Sequence, residues 1–119
     1  GFPKSTDDEK ATRHAAIQLA TKNAIEVPLK VMQVAFDSME VIKAMATTGN
    51  PNSVSDAGVG ALCARSAVMG AYMNVRINTT DCDDKEFVKE VLKKGKSIEQ
   101  QAVKMEAEIL EVVNSKIGA

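Results

Sequence analysis

The chain has no tryptophan, one tyrosine and three phenylalanines among 119 residues. Aromatics at 3% leave almost nothing on which bases could stack, which argues against single-strand nucleic-acid binding. A net charge of −1 leaves no broad cationic footprint for a phosphate backbone. The one histidine, His14, sits among Thr12, Arg13 and Gln18 on what reads as a wet face. It has no convincing partner in the sequence, so no Ser–His–Asp or Cys–His arrangement can be assembled. Two cysteines, Cys63 and Cys82, lie without a CxxC pair and do not build a zinc site; they read as free thiols, with Cys63 a small core residue. No apolar run approaches the roughly 18 residues of a membrane span. The leading GFPKSTDDEK has no apolar signal core, so a cytoplasmic protein is expected. The GVG of residues 58–60 falls inside a helical pattern and is no phosphate loop.

What the chain does contain is helix. Its 45% hydrophobic content comes from Ala, Val, Ile and Met, which favours packed helices over a sheet. Ser5 or Thr6 can cap a first helix whose opening turn holds Asp7, Asp8 and Glu9. Apolar residues then run Ile17, Leu19, Ala20, Ala24, Ile25 toward Pro28, which removes the hydrogen bond to the carbonyl of Ala24. The three-and-four spacing continues past it through Leu29, Met32, Phe36, Met39, Ile42 and Met45. That predicts a kinked helix pair over residues 7–26 and 27–48, ended by Gly49. Residues 84–115 carry a heptad seam of Val88, Val91, Gly95, Ile98, Ala102, Met105, Ile109 and Val112. Lys93, Lys94 and Lys96 read as a solvated face, and the six methionines as core filler. The expected fold is all-α, a multihelical up-and-down bundle with long helices, one kinked at Pro28.

Between these lies GNPNSVSDAGVGALCARSAVMGAYMNVRINTT, residues 49–80. It opens as a turn and becomes a helix over residues 55–76. That helix carries little side chain: Ala57, Gly58, Gly60, Ala61, Ala64, Ser66, Ala67, Gly70 and Ala71 are all small. Each interior glycine costs roughly 1 kcal/mol relative to alanine. Close approach of another helix, or of a flat ligand, would offset that cost. After it, residues 79–83 read as a polar loop.

The segments AIEVPLKV, NPNSVSDAG and GAYMNVRIN, in that order, make the chain resemble the cyclodeaminase/cyclohydrolase family of folate one-carbon enzymes. The likeness spans nearly the whole chain. It implies a tetrahydrofolate derivative as substrate and no metal. The first reading is formimidoyltetrahydrofolate cyclodeaminase, with methenyltetrahydrofolate cyclohydrolase as the alternative. A non-enzymatic helical dimerisation module using the heptad seam is the second alternative. In that family a Gly-rich and an aspartate-rich stretch precede the point where this chain starts. Residues 1–119 are therefore expected to be the C-terminal portion of one domain, with Gly1–Lys4 read as a loop. The acid/base carboxylate would come from the missing N-terminal portion or from a second chain of the same domain, and a homodimer is expected. No catalytic residue is assigned within the chain.

Against that resemblance, Asp56, Asn74, Arg76 and Asn78 are the candidate substrate-binding residues. Asp56, in the first turn of its helix, either complements the dipole or faces the cationic one-carbon unit of formimino and methenyl folates. Asn74 and Asn78 sit one turn apart and match either a pterin's donor–acceptor edge or buried loop backbone. Arg76 suits a structural carboxylate or the glutamate tail of folate equally. Arg65 reads first as a structural ion pair, and Lys30 as a cap on carbonyls freed at Pro28.

Overall fold

The computed structural model describes residues 6–118; Ser5 and the loop expected at residues 1–4 lie outside them. Three helices follow one another, α1 (Asp7–Thr48), α2 (Val54–Thr79) and α3 (Lys85–Ile117), with no strand among the described residues. The helix begins at Thr6, whose hydroxyl oxygen accepts the Glu9 N–H at 3.1 Å, and the three acidic residues occupy the first turn. Helical geometry continues through Pro28, so the two segments expected there are one helix of 42 residues, about 63 Å long. The reason is packing: Ile25, Met32, Met39 and Ala46 are buried in a seven-residue repeat that runs across the proline. Both halves are held on one line by the same neighbour.

Turns at residues 49–53 and 80–84 are short, which makes consecutive helices antiparallel. Consequently α1 and α3 run in the same direction and their ends meet. Lys116 Nζ donates to the carbonyls of Ala46 at 2.7 Å and Thr47 at 2.6 Å. The last turn of α1 contains no basic residue of its own, so α3 supplies the cation that its C-terminal carbonyls favour.

At the opposite end α1 grips the α2–α3 turn. Gln18 Nε2 donates to the Asp81 carbonyl at 3.1 Å, and its Oε1 accepts the Asp83 N–H at 2.8 Å. His14 is exposed as expected, but it does have a partner: Nε2 lies 2.7 Å from Asp83 Oδ2. Lys22 Nζ donates to Asp84 Oδ2 at 2.7 Å, while Asp84 Oδ1 accepts the Phe87 N–H and caps α3. The hydrogen bond between them raises the Lys22 ammonium above its ordinary pKa. The same bond, helped by the Phe87 N–H, holds the Asp84 carboxyl below its ordinary range.

The core is built around α2. Its Ala57, Gly58, Ala61, Ala64, Ala71 and Tyr72 are buried, with Val68 and Val75 between them. A Cβ on Gly58 would sit 3.1 Å from Val113 Cγ1, and one on Gly60 would sit 3.5 Å from Ile42 Cδ1. The heptad seam of α3 is largely as expected: Val91, Gly95, Ile98, Ala102, Ile109 and Val113 are buried, and Val88, Met105 and Val112 pack against them. Its neighbours are α1 and α2 of the same chain.

Two core assignments are corrected. Cys63 is exposed, because it falls on the side of α2 turned from both neighbours, and Cys82 is fully buried. Met45 and Met73 are more than half exposed, so not every methionine fills the core. Ile17 and Leu19, which begin the apolar run toward Pro28, are exposed.

Gly95 marks the tightest approach. A Cβ there would lie 2.5 Å from Cε1 of the buried Tyr72 ring, whose hydroxyl is tied to the Leu92 carbonyl at 3.1 Å. The Gly95→Ala variant should therefore lose about 1–3 kcal/mol by overpacking, more than the roughly 1 kcal/mol gained in helix propensity. Urea unfolding measures the net loss. The Lys22–Asp84 pair gives a pH dependence of defined sign. With the Asp84 pKa depressed, its contribution is complete above the unfolded carboxyl's pKa of about 4 and fades as pH falls through the lower folded value. With the Lys22 pKa raised, its contribution is complete below about pH 10 and fades as pH rises through the folded value. Lys22→Met should flatten both flanks in unfolding curves taken across pH.

Candidate functional site

Where α1 and α2 cross near Pro28 they leave an open groove of about 550 Å³, within the usual range for small-molecule sites. One wall is Ala24, Val27, Pro28 and Val31 of α1. The other is a single row of α2, Ala67, Ala71, Asn74 and Asn78, spaced by three and four. The alanines keep that wall low, and the two amides stand at its end. A second hollow of about 410 Å³ shares Val27 and Val31 and continues along α1 past Lys30, Val34 and Ala35.

The groove is built around a missing hydrogen bond. Pro28 has no N–H, so the Ala24 carbonyl, four residues back, has no donor within α1. Asn78 Nδ2 reaches across from α2 and donates to it at 3.2 Å. Such a bond is worth about 1 kcal/mol net. Lys30, expected to cap the freed carbonyls, instead lines the second hollow. Asn74 is exposed and has no hydrogen-bond partner among the described residues.

Asn74 and Asn78 are thus brought together, beside the VPLK segment. Asp56 and Arg76 are not placed with them. Asp56 is exposed in the first turn of α2, about 27 Å of helix away from Asn74. Arg76 lies about 200° around the axis from Asn74, and its guanidinium stacks on the Tyr72 ring at 4.8 Å. Arg65 is an ion pair as expected: its Nε donates to Glu106 of α3, and Nη1 lies 3.0 Å from Met69 Sδ. Sequence reasoning did not single out Ala24, Val27, Val31, Ala67 and Ala71 as groove walls. The signal was present in the small residues of α2 and in the proline itself.

Around the groove the surface is unusually apolar. Val27 is 65% exposed, Val34 60%, Met73 60% and Ile77 68%, and Gly70 between them meets nothing within 4 Å. Among the described residues no helix is long and apolar enough to cross a membrane. Nor do those residues contain a group of three or more His, Cys, Asp or Glu arranged to hold a metal ion.

The described residues thus form an all-helical domain with a proline-notched groove lined by alanines and two amides. Its sequence places it more closely. The family described as formiminotransferase-cyclodeaminase matches residues 1–97, and the chain belongs to that family. A methenyltetrahydrofolate cyclohydrolase of Methylorubrum extorquens is 39% identical over 118 residues, covering 99% of this chain and 57% of the relative. A formimidoyltransferase-cyclodeaminase of Dictyostelium discoideum is 34% identical over 104 residues, covering 87% of this chain and 19% of the relative. The corresponding Gallus gallus protein is 40% identical over 86 residues, covering 72% and 16%. The chain therefore spans a little over half of the cyclohydrolase and about a fifth of the bifunctional proteins.

Proposed function

We propose that the chain is part of a tetrahydrofolate one-carbon enzyme whose groove at Pro28 receives the flat pterin. The observation that carries this reading is the pairing of an alanine floor with the free amide of Asn74. A flat heterocycle can lie on the first while its donor–acceptor edge meets the second. The first reaction is that of a formimidoyltetrahydrofolate cyclodeaminase, in keeping with the family match. N10 attacks the formimino carbon attached to N5, the ring closes to 5,10-methenyltetrahydrofolate, and the formimino nitrogen leaves as ammonia. The second reading, methenyltetrahydrofolate cyclohydrolase, is favoured by the Methylorubrum relative, which matches this chain nearly end to end. There, water adds to the methenyl carbon, the bond to N5 breaks, a proton is released, and 10-formyltetrahydrofolate results.

Either reaction needs one group to take a proton from the nucleophile and another to protonate the departing nitrogen. Holding a ligand whose reacting atoms already share one molecule supplies much of the rest. On this proposal Asn74 and Asn78 belong to the pterin end. Asp56 and Arg76 join the site only through a neighbouring chain or segment, since within this chain they stand apart from the groove. The apolar face around Gly70 is the surface against which the remainder of the domain, or a second copy in a homodimer, packs. The acid/base carboxylate belongs to that remainder, and the protein works in the cytoplasm.

Titrating the full-length protein with methenyltetrahydrofolate, followed by its absorbance, tests the binding. Asn74→Ala should weaken affinity about tenfold, roughly the 1.4 kcal/mol of one good ligand hydrogen bond. Binding that is absent, or indifferent to Asn74, would return the chain to the helical-module reading. Turnover of formimino against methenyl substrate separates the two enzymes. Gly70→Leu adds bulk at a position where a Cβ meets nothing within 4 Å. It should nonetheless destabilise the full-length protein or split its dimer, read by thermal unfolding and sedimentation.

A further inference from the structure

We infer that Asn78 is a positioning residue, its amide standing in for the N–H that Pro28 lacks, and that Asn74 is the ligand-facing member of the pair. Three observations meet here. Pro28 sits in the interior of α1, so the Ala24 carbonyl loses its helical donor. Asn78 Nδ2 donates to that carbonyl from a helix 54 residues on. The four residues Ala24, Pro28, Asn74 and Asn78 all line one groove. Asn78 is half-buried with one of its two amide N–H groups committed to backbone, whereas Asn74, one turn earlier, is exposed with both amide functions unused within the described chain. The cross-helix bond sets how far the opened turn of α1 stands from α2. It therefore sets the width of the groove and the position of Asn74 against the wall opposite. A side chain serving the backbone in this way acts on a ligand through geometry, not through contact. The ligand arm of this inference rests on the folate reading; the hydrogen-bond arm does not.

A double-mutant cycle in the full-length protein tests it. Pro28→Ala restores an N–H at position 28, which bonds the Ala24 carbonyl inside α1 and makes the Asn78 donor redundant. With the proline in place, Asn78→Ala should raise the unfolding equilibrium constant about fivefold; in the Pro28→Ala background it should change that constant less than twofold. An equal loss in both backgrounds overturns the inference. If the Asn78→Ala protein does not fold, a folded double variant supports the inference and an unfolded one overturns it. Methenyltetrahydrofolate affinity supplies the second readout. A positioning role predicts that Asn78→Ala weakens binding and that adding Pro28→Ala recovers at least half of the loss on a logarithmic scale. A direct ligand contact predicts no recovery, and that result overturns the positioning role. Should the unsubstituted protein bind no folate at all, the proposed function fails while the unfolding cycle still decides whether Asn78 replaces the missing donor.

Discussion

Everything in this molecule depends on how near α2 can come to its two neighbours. Dispersion attraction falls off over a fraction of an ångström, so a helix gains from contact only where its side chains let a partner's atoms reach it. Ala57, Gly58, Ala61, Ala64 and Ala71 meet that condition on α2, and Gly95 meets it on α3. The Tyr72 ring fills the space over Gly95, and Val113 fills the space over Gly58. Small residues thus act in pairs with large ones, and three aliphatic helices form one core with scarcely any aromatic mass.

The same economy of side chain has another consequence on the opposite side of α2. There Ser66, Ala67 and Gly70 are exposed, as are the large apolar residues Met73 and Ile77. On α1 a parallel row of valines faces the same way. A chain that left this much aliphatic surface to water would lose the hydrophobic gain available from covering it, about 25 cal/mol per Å². The groove at Pro28 opens on that face, so the ligand site proposed above and this apolar surface adjoin each other.

Much of this was legible from the residues. The periodicity of α3 and the run of small residues in α2 are consequences of helical geometry, and the burial pattern follows them closely. Asn74 and Asn78 could be paired because four residues span one turn. Cys63, Met45 and Met73 were misplaced for a common reason: each lies on an apolar stripe, and a helix with two apolar sides does not announce which one faces its own chain. The helix through Pro28 was read as a kinked pair because the apolar spacing runs on across the proline, but local rules describe the hydrogen bond a proline removes and not the donor that another helix can bring.

Sequence alone determined the helical class, the approximate element ends, the family, and the amide pair as candidates, since these rest on spacing, capping chemistry and motif. Only tertiary structure decided that Asn78 serves the Ala24 carbonyl while Asn74 stays free, that Asp56 and Arg76 stand apart from them, and that the outward side of α2 is bare. The physical reason is that hydrogen-bond partners 54 residues apart, and the choice between two apolar sides, are settled by which surfaces three helices can bury together.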